Sequence, residues 1–279
     1  MSKKQVFVIL SILVFMGILL SLDIKKAGKP AEDNKPSRMP VNNTPVAAVV
    51  VNIDSLESKD LAGLDPDKVK AIKDLDAKAK AKANFDTYSQ LGDRWASSNN
   101  LFWAGHFYFK AAEMKPDLAS WLKAGNALNE SLINVQDTSE QRLVFQESNK
   151  SFTEALKLDS ANLDAKTGLG VSYVAGGESP MQGIGLLLQV VAKDPNNIKA
   201  NYSLGLFSMK SGQYQKAINR FKTVISLQPS AEAYFYLAQA YQNTQMNKEA
   251  IDAYIHAKKY LDDPQTISRV DHLIKELTK

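Results

Sequence analysis

The sequence predicts an all-α protein in which pairs of helices stack side by side in a row. Ala217 recurs 33 residues later as Ala250, within matching patterns of apolar residues. Pro195 and Pro229 follow two successive copies of that pattern, where a proline is expected to stop a helix. Repeats of this length are typical of arrays in which one helix pair cannot bury its apolar face until the neighbouring pair covers it.

The composition is that of a folded protein without cysteine chemistry. The chain has 279 residues, of which 44% are hydrophobic and 23% are charged, values close to the average for soluble domains. No cysteine is present, which excludes disulfides, thiol nucleophiles and cysteine-ligated zinc.

The net charge of +4 lies entirely in the first 40 residues. These carry seven basic and three acidic residues, whereas the rest of the chain carries 27 of each. A nucleic-acid-binding protein is expected to concentrate its basic excess on the folded domain. We therefore expect no nucleic-acid partner.

An apolar segment from Val6 to Leu22 follows Lys3 and Lys4 at the start of the chain. A basic start before an apolar run is typical of an export signal, and the run is at the short end of what spans a bilayer. Because no small-x-small cleavage site follows, the sequence favours an uncleaved signal-anchor helix at 1–22. We expect a single-pass protein of a bacterial inner membrane with its array in the periplasm. The basic residues after the segment favour the alternative, a cytoplasmic array.

Residues 23–53 are predicted to be a disordered linker, because prolines among polar residues favour extended spacing. Four prolines occur there: Pro30, Pro36, Pro40 and Pro45. The next segment, 54–84, is expected to be helical. Asp65 is suited to cap a helix, and Pro66 is suited to its first position.

Five copies of the helix-pair pattern are predicted, followed by a capping helix at 265–279. The copies lie near 85–117, 118–162, 163–197, 198–230 and 231–264. In each copy, a small residue on the first helix is expected where the second helix crosses. These residues are Gly92, Gly125, Gly170, Gly205 and Ala238.

This pattern resembles that of the tetratricopeptide repeat family, W-x2-L-G-x2-Y, then A-x3-F, then P, over 34 residues. In the fourth copy it is carried by Leu204, Gly205, Ala217, Phe221 and Pro229. The resemblance implies about five such pairs in a right-handed superhelix, an α-solenoid, closed by a terminal cap.

The second copy contains about eleven more residues than the pattern needs between Leu128 and Phe152. The residues from Ser139 to Ser148 predict a lengthened second helix rather than a loop. Two interpretations remain open for this insertion. It is either a tolerated surface feature or a ridge that docks a partner or a second copy of the protein.

No catalytic, cofactor or metal site is predicted, and we expect the chain not to be an enzyme. His106, His256 and His272 have no partners at metal-ligand spacing and are expected on helix surfaces. Gly168 and Gly170 lack the preceding strand of a dinucleotide site and are assigned to helix packing.

The family resemblance places peptide contacts on the first helices, which line its concave face. The residues at contact positions are Leu122, Asn126, Val171, Tyr202, Leu206, Met209, Phe235, Gln239 and Gln242, with Ser89, Asp93, Asn129 and Thr167 at corresponding positions. Leu122 replaces the lysine with which some relatives clamp a peptide carboxylate, so that mode is not expected. The aromatic and aliphatic face suits an amphipathic helix or an extended segment, unless the C-terminal helix of the chain covers it.

These observations support two hypotheses. In the first, the chain is a membrane-tethered scaffold or adaptor that binds a protein or peptide on the concave face. In the alternative, the array associates with itself through the insertion and is a structural module of a membrane-bound complex.

Overall fold

The computed structural model describes residues 53–132, 134–176 and 179–278, which form thirteen α-helices and no strand. The helices are α1 (Ile53–Leu61), α2 (Pro66–Ala81), α3 (Phe85–Ser97), α4 (Leu101–Met114), α5 (Leu118–Ser131), α6 (Thr138–Leu158), α7 (Leu163–Gly176), α8 (Pro180–Lys193), α9 (Ile198–Lys210), α10 (Tyr214–Leu227), α11 (Ala231–Asn243), α12 (Asn247–Lys258) and α13 (Pro264–Leu277). The all-α prediction is confirmed for these residues.

The signal-anchor segment at 1–22 and nearly all of the linker at 23–53 lie outside the described residues, since α1 begins at Ile53. Within the described ranges, no helix combines the length and the apolar character that crossing a bilayer requires.

Helices that follow one another in the chain pack together from α2 to α13. Each predicted copy contains one pair: α3 with α4, α5 with α6, α7 with α8, α9 with α10, and α11 with α12. The first helices of neighbouring copies also pack against each other: α5 with α7, α7 with α9 and α9 with α11. Among the second helices of the described residues, only α4 and α6 make a contact of similar extent. The first helices are therefore the more closely spaced layer, which is the inner side of a curved row.

Glycines leave space for neighbouring helices to approach. A Cβ atom added at Gly183 of α8 would lie 2.5 Å from the backbone oxygen of Gly170 on α7. The ring of Phe152, which is fully buried, occupies the space of two missing side chains. A Cβ at Gly125 of α5 would come within 2.7 Å of this ring, and one at Gly168 of α7 within 2.1 Å. Phe152 therefore joins the second copy to the third.

The helix ends follow local sequence signals. Asp65 caps α2, where its side chain accepts a hydrogen bond from the backbone N–H of Asp67, and Pro66 is the first helical residue. The helices α4, α8 and α10 each end two residues before a proline, namely Pro116, Pro195 and Pro229. Proline lacks the N–H that would continue the helix and clashes with the preceding turn.

The insertion in the second copy lengthens α6 to 21 residues, as the sequence predicts. Its additional turns lie against the array, because α6 contacts α4 and Val144 is fully buried. His106 of α4 is 4% exposed, and its Nδ1 lies 2.8 Å from Oε1 of Glu147 on α6. The prediction of a surface position for His106 was wrong, since the lengthened helix covers this part of α4.

Helix α1 lies outside the repeats and is attached to the first copy by its last residues. The carboxylate of Asp60 accepts hydrogen bonds from Nε1 of Trp103 at 2.8 Å and from Nδ2 of Asn100 at 2.9 Å. Asn100 also caps α4, because its side-chain oxygen accepts from the backbone N–H of Trp103. These bonds fix α1 to the start of α4.

Candidate functional site

The residues predicted to contact a partner all lie on first helices. Leu122 and Asn126 are on α5, Val171 is on α7, Tyr202, Leu206 and Met209 are on α9, and Phe235, Gln239 and Gln242 are on α11. Gln242 is exposed and each of the others is partly buried. These residues therefore form a half-buried face, which we call the inner face, on the closely spaced layer of the array.

Two residues at corresponding positions are used inside the array instead. Thr167 is buried, and its hydroxyl donates a hydrogen bond to the carbonyl of Leu163. The side-chain amide of Asn129 donates to the carbonyl of Gly168 and accepts from the hydroxyl of Ser148. The prediction that Thr167 faces a partner was therefore wrong, because this position of α7 points into the helix packing.

The centre of the inner face is continuous with an aromatic core. The ring centroid of Tyr202 lies 6.0 Å from that of Phe221 and 6.1 Å from that of Tyr236, both edge to face. Phe235 makes a similar contact with Tyr254 at 5.5 Å. Tyr202 and Phe235 thus support the fold as well as the face, so replacing either one would affect stability and binding together.

A carboxylate lies at the edge of this aromatic cluster. The hydroxyl of Tyr202, on α9, donates a hydrogen bond to Oε1 of Glu232 at the start of α11. Burial raises the pKa of Glu232, and this effect outweighs the hydrogen bond from Tyr202, which lowers it. Burial also raises the pKa of the Tyr202 hydroxyl. The tyrosine therefore remains a hydrogen-bond donor at neutral pH.

The raised pKa of Glu232 predicts a pH-dependent stability. The folded state holds the proton of this carboxyl more tightly than the unfolded state does, so the free energy of unfolding should fall as pH rises from the unfolded pKa through the raised folded pKa. Glu232→Gln keeps an acceptor for Tyr202 and removes the ionisation. We expect this variant to be more stable than the parent at pH 7 in urea unfolding, and a variant less stable at pH 7 would contradict the assignment.

The terminal helix α13 packs near this region without closing the inner face. Its apolar residues Ile267, Leu273, Ile274 and Leu277 pack against the same buried cluster as Tyr202 and Phe235. Within the described residues, however, α13 packs mainly against the second helix α12. It makes no contact of similar extent with α9 or α11. Among the described residues, α13 therefore leaves the inner face of α9 and α11 uncovered.

The nine residues of the inner face include no acidic or basic side chain. Its side chains are apolar or carry uncharged amides, and the hydroxyl of Tyr202 is engaged internally with Glu232. In the described part of the chain, no three acidic, histidine or cysteine side chains come together as metal ligands.

Comparisons with known proteins agree with this architecture. Residues 186–219 and 232–260 each match a family model described as a tetratricopeptide repeat. The first match runs from the middle of α8 into α10, and the second covers α11 and α12. These two segments are tetratricopeptide repeats. No curated protein sequence is similar enough to this chain to count as a match.

Several solved structures are similar. TTC0263, a thermophilic TPR protein of Thermus thermophilus, has 16% identity and a TM-score of 0.52, over 67% of this chain and 97% of that protein. YrrB, described as a TPR protein with an unusual peptide-binding site, has 20% identity and a TM-score of 0.45, over 71% and 97%. A MamA structure has 22% identity and a TM-score of 0.47, over 63% and 91%. The likeness to TTC0263 shows the fold.

Proposed function

We propose that this chain is a non-catalytic scaffold or adaptor that binds a protein segment on the inner face of its repeats. Tetratricopeptide repeat proteins in general mediate protein–protein interaction, and two segments of this chain are such repeats. One observation carries the proposal. Apolar side chains remain half-exposed along consecutive first helices, although the array has a terminal helix that closes its end.

The occupant that best fits this face is an amphipathic helix or an extended segment with few charges. The face presents Leu206 and Met209 on α9 and Gln239 on α11, all partly buried and none charged. Apolar contact supplies most of the free energy in such grooves, and amides fix the orientation of the bound chain. A charged segment would lose hydration there without gaining a partner of opposite sign.

We also propose that the N-terminal apolar segment, Val6–Leu22, holds the array at a bacterial inner membrane, with the repeats in the periplasm. The sequence pattern of that segment supports this proposal. A tether would confine the scaffold and its partner to one surface and so raise their effective concentration. A reporter fused to the C-terminus and active on only one side of the membrane would distinguish a periplasmic from a cytoplasmic array.

Placing a charge on the inner face is expected to weaken partner capture strongly. Gln239→Lys would bury an unpaired ammonium group when the partner binds, which costs several kcal/mol, and each 1.4 kcal/mol is about a tenfold loss of affinity. We expect at least a tenfold reduction in the protein captured from membranes of the source cells by the full-length chain.

Gln215→Lys is the matched control. This residue is an exposed glutamine on the second helix α10, and the same change there should leave both capture and thermal stability as in the parent. If both lysine variants captured the partner equally well, the inner face would not be the binding site.

A further inference from the structure

The buried core of the array is interrupted between the third and the fourth copy. One large cluster of buried residues runs through the first two copies into α7, and another runs from α10 to α13. The junction of α8 with α9 has a small cluster of its own, formed by Leu187 and Val190 of α8 and by Ala200 and Leu204 of α9. Each of the other junctions between copies lies inside one of the two large clusters. The core is therefore thinnest where α8 meets α9.

Aromatic rings cross the other junctions between copies. The ring of Phe109 lies 5.8 Å from that of Trp121, between the first and second copies. Phe152 joins the second copy to the third, and Phe221 stacks on Tyr236 at 5.6 Å between the fourth and fifth. The cluster at the α8–α9 junction contains no aromatic residue, either among its buried members or among the partly buried side chains packed on it. This junction lacks the side chains that bury the largest apolar areas.

Polar side chains also connect neighbouring copies elsewhere in the array. Lys123 of α5 pairs with Asp93 of α3 at 3.0 Å, and the amide of Asn129 on α5 donates to the carbonyl of Gly168 on α7. The hydroxyl of Tyr202 on α9 donates to the start of α11. Among the described residues, no hydrogen bond or ion pair joins a side chain of α7 or α8 to α9 or α10. The third and fourth copies are therefore held together by aliphatic contact.

The first helix of the fourth copy begins with a polar residue where three other copies have an aromatic one. That position lies four residues before the small residue of each first helix and is occupied by Trp121 in the second copy. The fourth copy has Asn201, which is 1% exposed. Its amide donates to the carbonyl of Pro195 in the loop before α9, and its oxygen accepts from the guanidinium of Arg220 on α10. Asn201 thus uses its polar atoms within the fourth copy and the preceding loop.

We propose that the α8–α9 junction is a hinge between two rigid units, which are α2–α8 and α9–α13. The contact of α8 with α9 is less extensive than that between the second helix of any other copy and the first helix of the next. Sparse buried contacts are what allow one part of a protein to move relative to another. Small aliphatic side chains without hydrogen bonds can also shift against each other without breaking a directional contact.

A hinge at this junction would divide the inner face. Leu122, Asn126 and Val171 belong to the first unit, whereas the inner-face residues of α9 and α11 belong to the second. Bending would change the distance between these two groups, so a partner that contacts both would favour one curvature of the array. This consequence depends on the proposed function, whereas the hinge itself does not.

The absence of cysteine from the chain allows the motion to be measured with pairs of spin labels. Labels on Thr153→Cys of α6 and Asn219→Cys of α10 span the third copy and the proposed hinge. Labels on Met114→Cys of α4 and Gln189→Cys of α8 are the matched control, because they span the second copy within one unit. All four residues are exposed on second helices. In pulsed electron paramagnetic resonance of the full-length protein, we expect a broader distance distribution for the first pair than for the control pair.

Urea unfolding tests the boundary between the units without labels. The three tryptophans lie in the first two copies, so their emission reports on the first unit. Leu169 is buried in α7 of that unit, and Phe221 is fully buried in α10 of the second. Units that share few contacts unfold with little dependence on each other. Leu169→Ala should therefore lower the urea midpoint of tryptophan emission. Phe221→Ala should leave that midpoint unchanged and lower the midpoint for part of the helical circular-dichroism signal.

Two results would overturn the hinge. One is a control pair of labels with a distribution as broad as that of the pair across α8 and α9. The other is a tryptophan midpoint that Phe221→Ala lowers as much as Leu169→Ala does, because the array would then unfold as one unit. Neither measurement involves a partner, so a failure of the inner face to bind a protein segment would leave both results unchanged.

Discussion

Replacing Phe152 with alanine is expected to lower the free energy of unfolding by about 3–5 kcal/mol, the usual cost of removing a fully buried phenylalanine. The ring fills the space left by two glycines on different first helices, Gly125 and Gly168. Those glycines have no side chains with which to close the cavity. The loss should therefore be near the upper end of this range, and it is a large share of the roughly 5–15 kcal/mol by which most domains are stable.

The measurement is urea unfolding followed by tryptophan fluorescence. All three tryptophans, Trp95, Trp103 and Trp121, lie in the first two copies, so their emission reports on the part of the array that Phe152 joins to the rest. Leu158→Ala is the control on the same helix, because Leu158 is mostly exposed and its truncation should cost no more than about 0.5 kcal/mol. Equal effects of the two substitutions would contradict the role of Phe152 between copies.

The second large effect is expected at the buried pair formed by His106 and Glu147. Glu147→Ala leaves the imidazole of His106 without its partner in a site that is almost closed to water, since the two residues are 4% and 7% exposed. Removing one partner of a buried hydrogen bond leaves the other unsatisfied, which costs about 1–3 kcal/mol, and more where the remaining group is charged. We expect that loss in the same unfolding experiment.

The double variant His106→Leu with Glu147→Leu distinguishes pairing from simple packing. Apolar replacement of both members of a buried pair is often close to neutral, so the double variant should recover most of the stability that Glu147→Ala loses. The coupling energy from the corresponding double-mutant cycle should be favourable. Strictly additive losses would show that the two residues contribute independently and that the contact itself is unimportant.

Features encoded by a few neighbouring residues were predictable from the sequence. The start of α2 follows from the Asp65-Pro66 cap, and the ends of three second helices follow from prolines. The greater length of α6 was likewise visible in its residues. Each of these features depends on backbone groups within one turn, which a local pattern determines.

Features that depend on which helix covers which were not predictable. The burial of His106 requires the additional turns of α6 to lie over α4, and no pattern around His106 indicates this. The sequence indicated that Tyr202 lies on the inner face. Its hydrogen bond to Glu232 was not predictable, because that bond joins two copies.

Site-specific photocrosslinking tests the central claim, that the first helices form the binding face, most directly. A photoreactive amino acid would replace Gln242, an exposed residue of α11, or Gln215, an exposed residue of α10, in the full-length chain within its native membrane. The account predicts that the probe at 242 forms one discrete crosslinked species with another protein and that the probe at 215 does not. No crosslink at 242, or the same species from both positions, would contradict it.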